Sequence, residues 1–196
     1  MNLDDHQQFQ LLDPENMLAH IQGLPDQLEK AWELGLGLPL PQMNEISRVV
    51  IVGMGGSAIG ADLLSAYAAD VCPVPVIVHR DYSLPSFARG EKTLVICSSH
   101  SGDTEETLDS FEAARRQGCH VLAVCTGGEL ALRAQKEKVP LITFQHAGQP
   151  RAAVGFSFGI LLAVFVRLGL IPDQADEIHS AVTAMQEMRV SLGPGV

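Results

Sequence analysis

Two short segments concentrate groups of the kind that can hold a phosphate. Ser98-Ser99-His100-Ser101-Gly102-Asp103-Thr104-Glu105-Glu106-Thr107 sets hydroxyls around a single glycine. Ser99, Ser101 and Thr104 can each donate to a phosphate oxygen. Asp103 followed by Glu106 fits a capping arrangement, and Glu105 and Glu106 favour the positive end of a helix dipole. The segment therefore reads as a helix start, where free N–H groups attract an anion. The second segment, Gly53-Met54-Gly55-Gly56-Ser57-Ala58-Ile59-Gly60, is glycine-rich. Gly55 and Gly56 let the backbone come close to an anion, while Ser57 can cap the helix that follows and also donate its hydroxyl.

Taken alone, the glycine-rich turn has two readings. Gly53, Gly55 and Ala58 also fit the G-x-G-x-x-(G/A) dinucleotide fingerprint, with Asp81 as a ribose partner and Arg80 as a partner for a 2′-phosphate. The hydroxyl-rich turn favours the other reading, because a nicotinamide-binding domain has no use for such a cluster after its third strand. A third candidate is Arg151. It follows a Gly-Gln-Pro turn just ahead of an apolar helix and is the only cation near the mouth of the fifth strand.

These groups need elements that bring them together. Arg48–Gly53, Val74–His79, Lys92–Ser98, Cys119–Cys125 and Val139–Phe144 are apolar runs of strand length. Helical patterns over 57–69, 104–117, 128–136, 152–168 and 173–189 alternate with them, and an amphipathic helix opens at Asp13-Pro14 and runs through Trp32. Gly35 to Pro41 reads as a linker. Continuous apolar strands separated by helices imply an α/β fold, a three-layer doubly wound parallel sheet of five strands. The order 2-1-3-4-5, flavodoxin-like, puts both turns at one crevice on the C-terminal edge of the sheet. The expected division is an N-terminal helix and linker over 1–44, the sheet domain over 45–171, and a C-terminal helix with the start of a linker over 172–196.

Gly55-Gly56-Ser57, then Ser99-x-Ser101-Gly102-x-Thr104-Glu105-Glu106-Thr107, then Pro150-Arg151-Ala152-Ala153 ahead of a long apolar helix together resemble the sugar isomerase (SIS) domain. More narrowly, they resemble the bifunctional phosphoglucose/phosphomannose isomerase family, and the resemblance runs from about Asp13 to Arg189. It implies that Ser57, Ser99, Ser101 and Thr104, with the Gly55-Gly56 backbone, hold a substrate phosphate, and that Arg151 lies near the sugar to steady enediolate charge. It implies glucose 6-phosphate, fructose 6-phosphate or mannose 6-phosphate as ligand, and no cofactor. Two positions depart: His100 stands where the family has an aromatic hydroxyl, and Asp103 where it has Asn. Asp103 is compatible with a phosphate dianion if it faces away into a cap. In the family a second SIS domain supplies the catalytic Glu and the ring-opening His, and no residue here matches either. The expectation is the first half of such an isomerase, with a non-catalytic sugar-phosphate sensor and a dinucleotide-binding oxidoreductase domain as alternatives. His100, His146 and Glu129 read as surface or loop residues.

Bulk composition narrows the partners. With 13 Lys and Arg against 23 Asp and Glu, the net charge is −10, which repels nucleic acid and anionic membranes at long range. It would repel a phosphosugar too, so the phosphate site must be built locally. Cys72, Cys97, Cys119 and Cys125 show no Cys-x-x-Cys spacing and read as reduced core thiols of a cytoplasmic protein. No spacing among the seven histidines reads as a metal site. Met1 to Gln10 shows no secretory pattern. The uncharged run 152–166 is too short to span a bilayer; it reads as a buried helix, apolar enough that a homodimer or a docked partner is expected.

Overall fold

The computed structural model describes residues 11–43 and 45–193. The segment Met1–Gln10, read above for a secretory pattern, lies outside them, as do the last three residues of the expected linker. Five strands, β1 (Arg48–Val52), β2 (Val76–His79), β3 (Thr93–Ser99), β4 (His120–Cys125) and β5 (Leu141–Thr143), form one sheet in the order β2-β1-β3-β4-β5. Every pairing is parallel. The central β3 pairs Ile51 with Ile96 on one side and Leu122 with Ile96 on the other, and is buried along its whole length.

The alternation of side chains splits the core in two. Val49, Ile51, Leu94, Ile96, Leu122 and Val124 face one layer. That layer contains α2 (Leu24–Gly37), α3 (Gly55–Ala68), α6 (Val154–Arg167) and α7 (Ala175–Leu192). Val50, Val52, Val95, Cys97, Val121 and Ala123 face the opposite layer, which holds α4 (Glu105–Arg116) and α5 (Gly128–Lys136). The doubly wound order is the expected one.

The apolar helix α6 is sheathed by its own chain. Ile160, Leu161, Leu162, Val164 and Phe165 are fully or almost fully buried, against α2 and α3 in particular. Burial of each such side chain contributes about 1.5–3 kcal/mol. The apolarity that motivated a partner chain is thus satisfied within this layer.

The N-terminal helical stretch differs from expectation in its middle and at its C-terminal end. It is broken at Gly23 into α1 (Met17–Gln22) and α2. Asp13 does open it: its carboxylate accepts the N–H groups of Met17 at 2.7 Å and Leu18 at 2.8 Å. Those two bonds hold its pKa below the ordinary aspartate value, Leu18 contributing most. The expected linker start, Gly35, is instead helical. A side chain there would put its Cβ 2.5 Å from that of Ala163, so glycine lets α2 lie directly on α6. Arg167 of α6 then caps α2, donating to the carbonyls of Gly35 and Leu38.

Candidate functional site

The parallel sheet delivers the β1–α3 turn and the β3–α4 turn to the same edge, since β1 and β3 are neighbours. Gly55 and Gly56 are the first residues of α3, so their N–H groups have no acceptor within the helix. Ser57 does not cap this helix; the N-cap is Met54 and makes no side-chain bond. Instead the buried Ser57 Oγ accepts the backbone N–H of His100 at 3.0 Å. The serine of the first turn therefore ties it to the second.

Within the second turn the hydroxyls are bonded to one another and to the turn. Ser99 Oγ lies 2.9 Å from Thr104 Oγ1 and accepts the Gly102 N–H at 3.0 Å. Ser101 Oγ accepts the Asp103 N–H at 3.1 Å. Ser101 is exposed and Thr104 half-buried, while Ser99 is buried. Thr104 is the N-cap of α4, with no side-chain cap bond, so the expected Asp103–Glu106 capping arrangement is not formed. The Asp103 carboxylate does face away into a cap, but of a different helix: it accepts the Glu129 N–H of α5 at 2.8 Å. Gly102, at φ +80°, makes this possible, because a Cβ there would overlap the Gly127 carbonyl oxygen.

The third segment arrives through Gly56. A Cβ on Gly56 would lie 2.7 Å from the Pro150 carbonyl carbon and 2.8 Å from Arg151 N. The short 3-10 turn Pro150–Ala152 thus rests on the start of α3, and Arg151 stands at its rim, exposed and in no ion pair among the described residues. Gly56, Ser57, Ser98, Ser99, His100, Phe144 and Pro150 line one narrow crevice, whose free volume of about 10 Å³ admits roughly one water molecule. All seven site residues read from the sequence, Gly55, Gly56, Ser57, Ser99, Ser101, Thr104 and Arg151, fall at this edge.

The structure adds what the sequence did not single out. His100 Nε2 lies 3.0 Å from His146 Nδ1, and His146 packs against His20 with ring centroids 5.1 Å apart. Both His100 and His146 are half-buried rather than loose surface residues. Burial lowers the pKa of each, and for His146 the charges of His100 and then His20 lower it further. Their common signal was position: His100 follows Ser99 at the end of β3, and His146 lies just past the end of β5. His20, on α1, carried no such signal. Glu129 is engaged elsewhere, in an ion pair with Arg133 at 2.8 Å.

The groups needed for a dinucleotide are committed to other partners. Arg80 pairs with Asp62, and Asp81 Oδ1 accepts the N–H of Tyr82 at 2.8 Å. All four cysteines are free thiols, with Cys97, Cys119 and Cys125 buried. Among the described residues no group of three or more His, Cys, Asp or Glu is arranged to hold a metal ion, and no helix is long and apolar enough to cross a membrane.

No protein-family model matches the chain. Over 181 residues it is 44% identical to the bifunctional phosphoglucose/phosphomannose isomerase of Caldicellulosiruptor bescii, a match covering 92% of this chain and 53% of that protein. The chain is a homologue of the bifunctional phosphoglucose/phosphomannose isomerases. It spans about half the length of the curated relatives it matches. Among solved structures, a phosphosugar isomerase from Clostridium difficile superposes with a TM-score of 0.67 at 14% identity, over 89% of this chain and 53% of that one. The tagatose-6-phosphate ketose/aldose isomerase of Escherichia coli superposes at 0.59 with 19% identity, over 90% and 50%. Those likenesses are of fold: this homologue carries the sugar isomerase fold, and the oxidoreductase alternative finds no support.

Proposed function

We propose that this chain binds a phosphorylated sugar on its two turns and forms part of an aldose–ketose isomerase acting on glucose 6-phosphate and mannose 6-phosphate. The observation that carries this reading is the convergence of three separate segments on one crevice. Gly56 lies against Pro150 and Arg151, and Ser57 accepts the His100 N–H beside Ser99. The N–H groups of Gly55, Gly56 and the first turn of α4 face an anion with no competing intrahelical acceptor. Ser101 and Thr104 add hydroxyl donors. The phosphate is anchored on those helix starts at the mouth of the crevice, whose interior holds only about one water molecule, and Arg151 at the rim steadies the oxygen that gains charge as the C2 proton leaves. Isomerisation moves that proton to C1 through an enediolate, which needs a base positioned at C2.

The relatives' names support phosphosugar chemistry, and their greater length agrees with a site completed by further protein. We place the protein in the cytoplasm, on its free buried thiols. A homodimer remains part of the proposal, with the exposed Ile59, Leu63 and Tyr67, four residues apart along α3, as the face to test by light scattering. Titration calorimetry with glucose 6-phosphate, mannose 6-phosphate and fructose 6-phosphate, against NAD and NADP, tests the reading. Binding of at least one sugar phosphate and neither dinucleotide is expected. Binding of a dinucleotide alone overturns it.

A further inference from the structure

The His100–His146 contact sits where nothing in the resemblance put a functional group. His100 lines the same crevice as Gly56, Ser57 and Ser99, and its main chain is fastened there by the bond to Ser57 Oγ. Its ring meets Phe144 edge-on, with centroids 5.9 Å apart. A hydrogen bond between two imidazole nitrogens needs a proton on one and a lone pair on the other. With that 3.0 Å bond intact, the pair carries at most one positive charge. The remaining nitrogen of His146, Nε2, is buried without a hydrogen-bond partner among the described residues. Such an atom is costly to leave unsatisfied unless the site uses it.

The surroundings are short of positive charge. The chain carries −10, Asp103, Glu105 and Glu106 border the second turn, and Arg151 is exposed at the rim. The groups packed on the pair are few. His20 of α1 faces His146, and Asp13 at the head of α1 lies within electrostatic reach of His20. Phe144 and Phe156 cover the rings. Asp103 is turned away to the Glu129 N–H.

We propose that His100 and His146 act as one unit that takes up a proton when a sugar phosphate binds, supplying a positive charge beside the phosphate that the free chain does not carry. This rests on the proposed phosphate site. In the free chain, burial keeps both rings neutral near pH 7.5. A phosphate dianion on the adjacent helix starts favours the protonated pair. The proton comes from solvent and no covalent bond to the ligand forms. The unit is a positioning element for the phosphate end of the substrate, and it makes affinity depend on pH.

The test is calorimetry of the full 196-residue chain with glucose 6-phosphate at pH 7.5, in buffers of different ionisation enthalpy, together with an NMR titration of the histidine ring signals. The expected result is net proton uptake and a Kd that rises with pH by up to about tenfold per unit. The ring pKa values of His100 and His146 should move up when glucose 6-phosphate is added. His100→Phe keeps an aromatic ring but no nitrogen and should lose both the uptake and the pH slope. His146→Phe should reduce both. The phosphate's own titration is common to all three proteins and cancels in the comparison. Binding with no proton uptake, or ring pKa values unmoved by ligand in the unmodified chain, overturns the proposal and leaves the phosphate site standing. Failure of glucose 6-phosphate, mannose 6-phosphate and fructose 6-phosphate to bind at all overturns both.

Discussion

The two turns at the sheet edge present the same kind of helix start by opposite means. The β1–α3 turn is nearly bare: its glycines expose backbone, and its one serine is buried and spent on a bond to the other turn. The β3–α4 turn is dense: Ser99, Ser101 and Thr104 are each engaged in hydrogen bonds with the turn or with one another. One turn offers N–H groups and shape, and the other offers hydroxyls already oriented. A serine in each does not mean the same role in each. Ser57 organises the site from below, whereas the exposed Ser101 can meet a ligand.

The sharpest way to break the dense turn is Gly102→Ala. A Cβ would overlap the Gly127 carbonyl oxygen, at a φ of +80° that L residues rarely adopt. A loss of roughly 3 kcal/mol or more is expected, read by urea denaturation. Gly55→Ala in the bare turn has left-handed φ but open space around it, and should cost about 1 kcal/mol. Equal losses in the two variants would undo the contrast.

Next come the serines. Ser101→Ala should weaken glucose 6-phosphate binding about ten- to a hundredfold, the worth of a hydrogen bond to a charged group of roughly 1.5–3 kcal/mol, with the melting temperature nearly unchanged. Ser57→Ala should weaken binding and also cost about 1–3 kcal/mol of stability, because it strands the His100 N–H. If Ser57→Ala leaves stability untouched, the tie between the turns is not structural.

Asp103→Asn sharpens the same comparison more gently. An amide oxygen can still accept the Glu129 N–H, so only the charge–dipole contribution at the start of α5 is lost, about 0.3–1 kcal/mol. Removing a negative charge from the proposed phosphate-binding turn should improve affinity for glucose 6-phosphate a few-fold, and weaker binding would place the phosphate away from this turn.

The smallest effect is on the free chain's response to acid. The folded-state pKa values of His100 and His146 lie below the ordinary histidine value, so the unfolded chain binds more protons as the pH falls past about 6.5. Their contribution is present in full above that pH and is lost as pH drops through the folded values. The melting temperature should therefore fall on acidification, and fall less in His100→Phe. A saturating sugar phosphate should flatten the fall.

The sheet order was legible because β1, β3 and β4 are continuous apolar runs that only a doubly covered parallel sheet can bury. The shared position of the seven candidate residues at one sheet edge was legible because the two turns advertise helix starts locally and Pro150-Arg151 precedes an apolar helix. What could not be read were contacts whose partner lies far along the chain. Ser57 looks like a cap until the His100 N–H, from another strand's end, is seen to occupy it. Asp103 looks like a cap for its own helix, yet the left-handed Gly102 redirects it to the next. Gly35 looks like a helix end, and only the proximity of Ala163 makes it a helix–helix contact. The break at Gly23 was signalled only by Gly23 and by Pro25 two residues on, a proline that sits in the first turn of α2, within an otherwise sustained apolar period.

The contact of Gly56 with Pro150 and Arg151 joins segments nearly half the chain length apart. Closing so long a loop is among the entropically expensive steps of folding. The crevice therefore belongs to the fully folded chain and is absent from any partly folded species that has docked only β1, β3 and their helices. A ligand held at its mouth, on the two helix starts, binds the native state alone and stabilises it by mass action, about 2.7 kcal/mol at a hundredfold excess over Kd. In a cell, the concentration of that ligand would then help set how long the folded chain survives proteolysis, making metabolite supply a determinant of protein abundance.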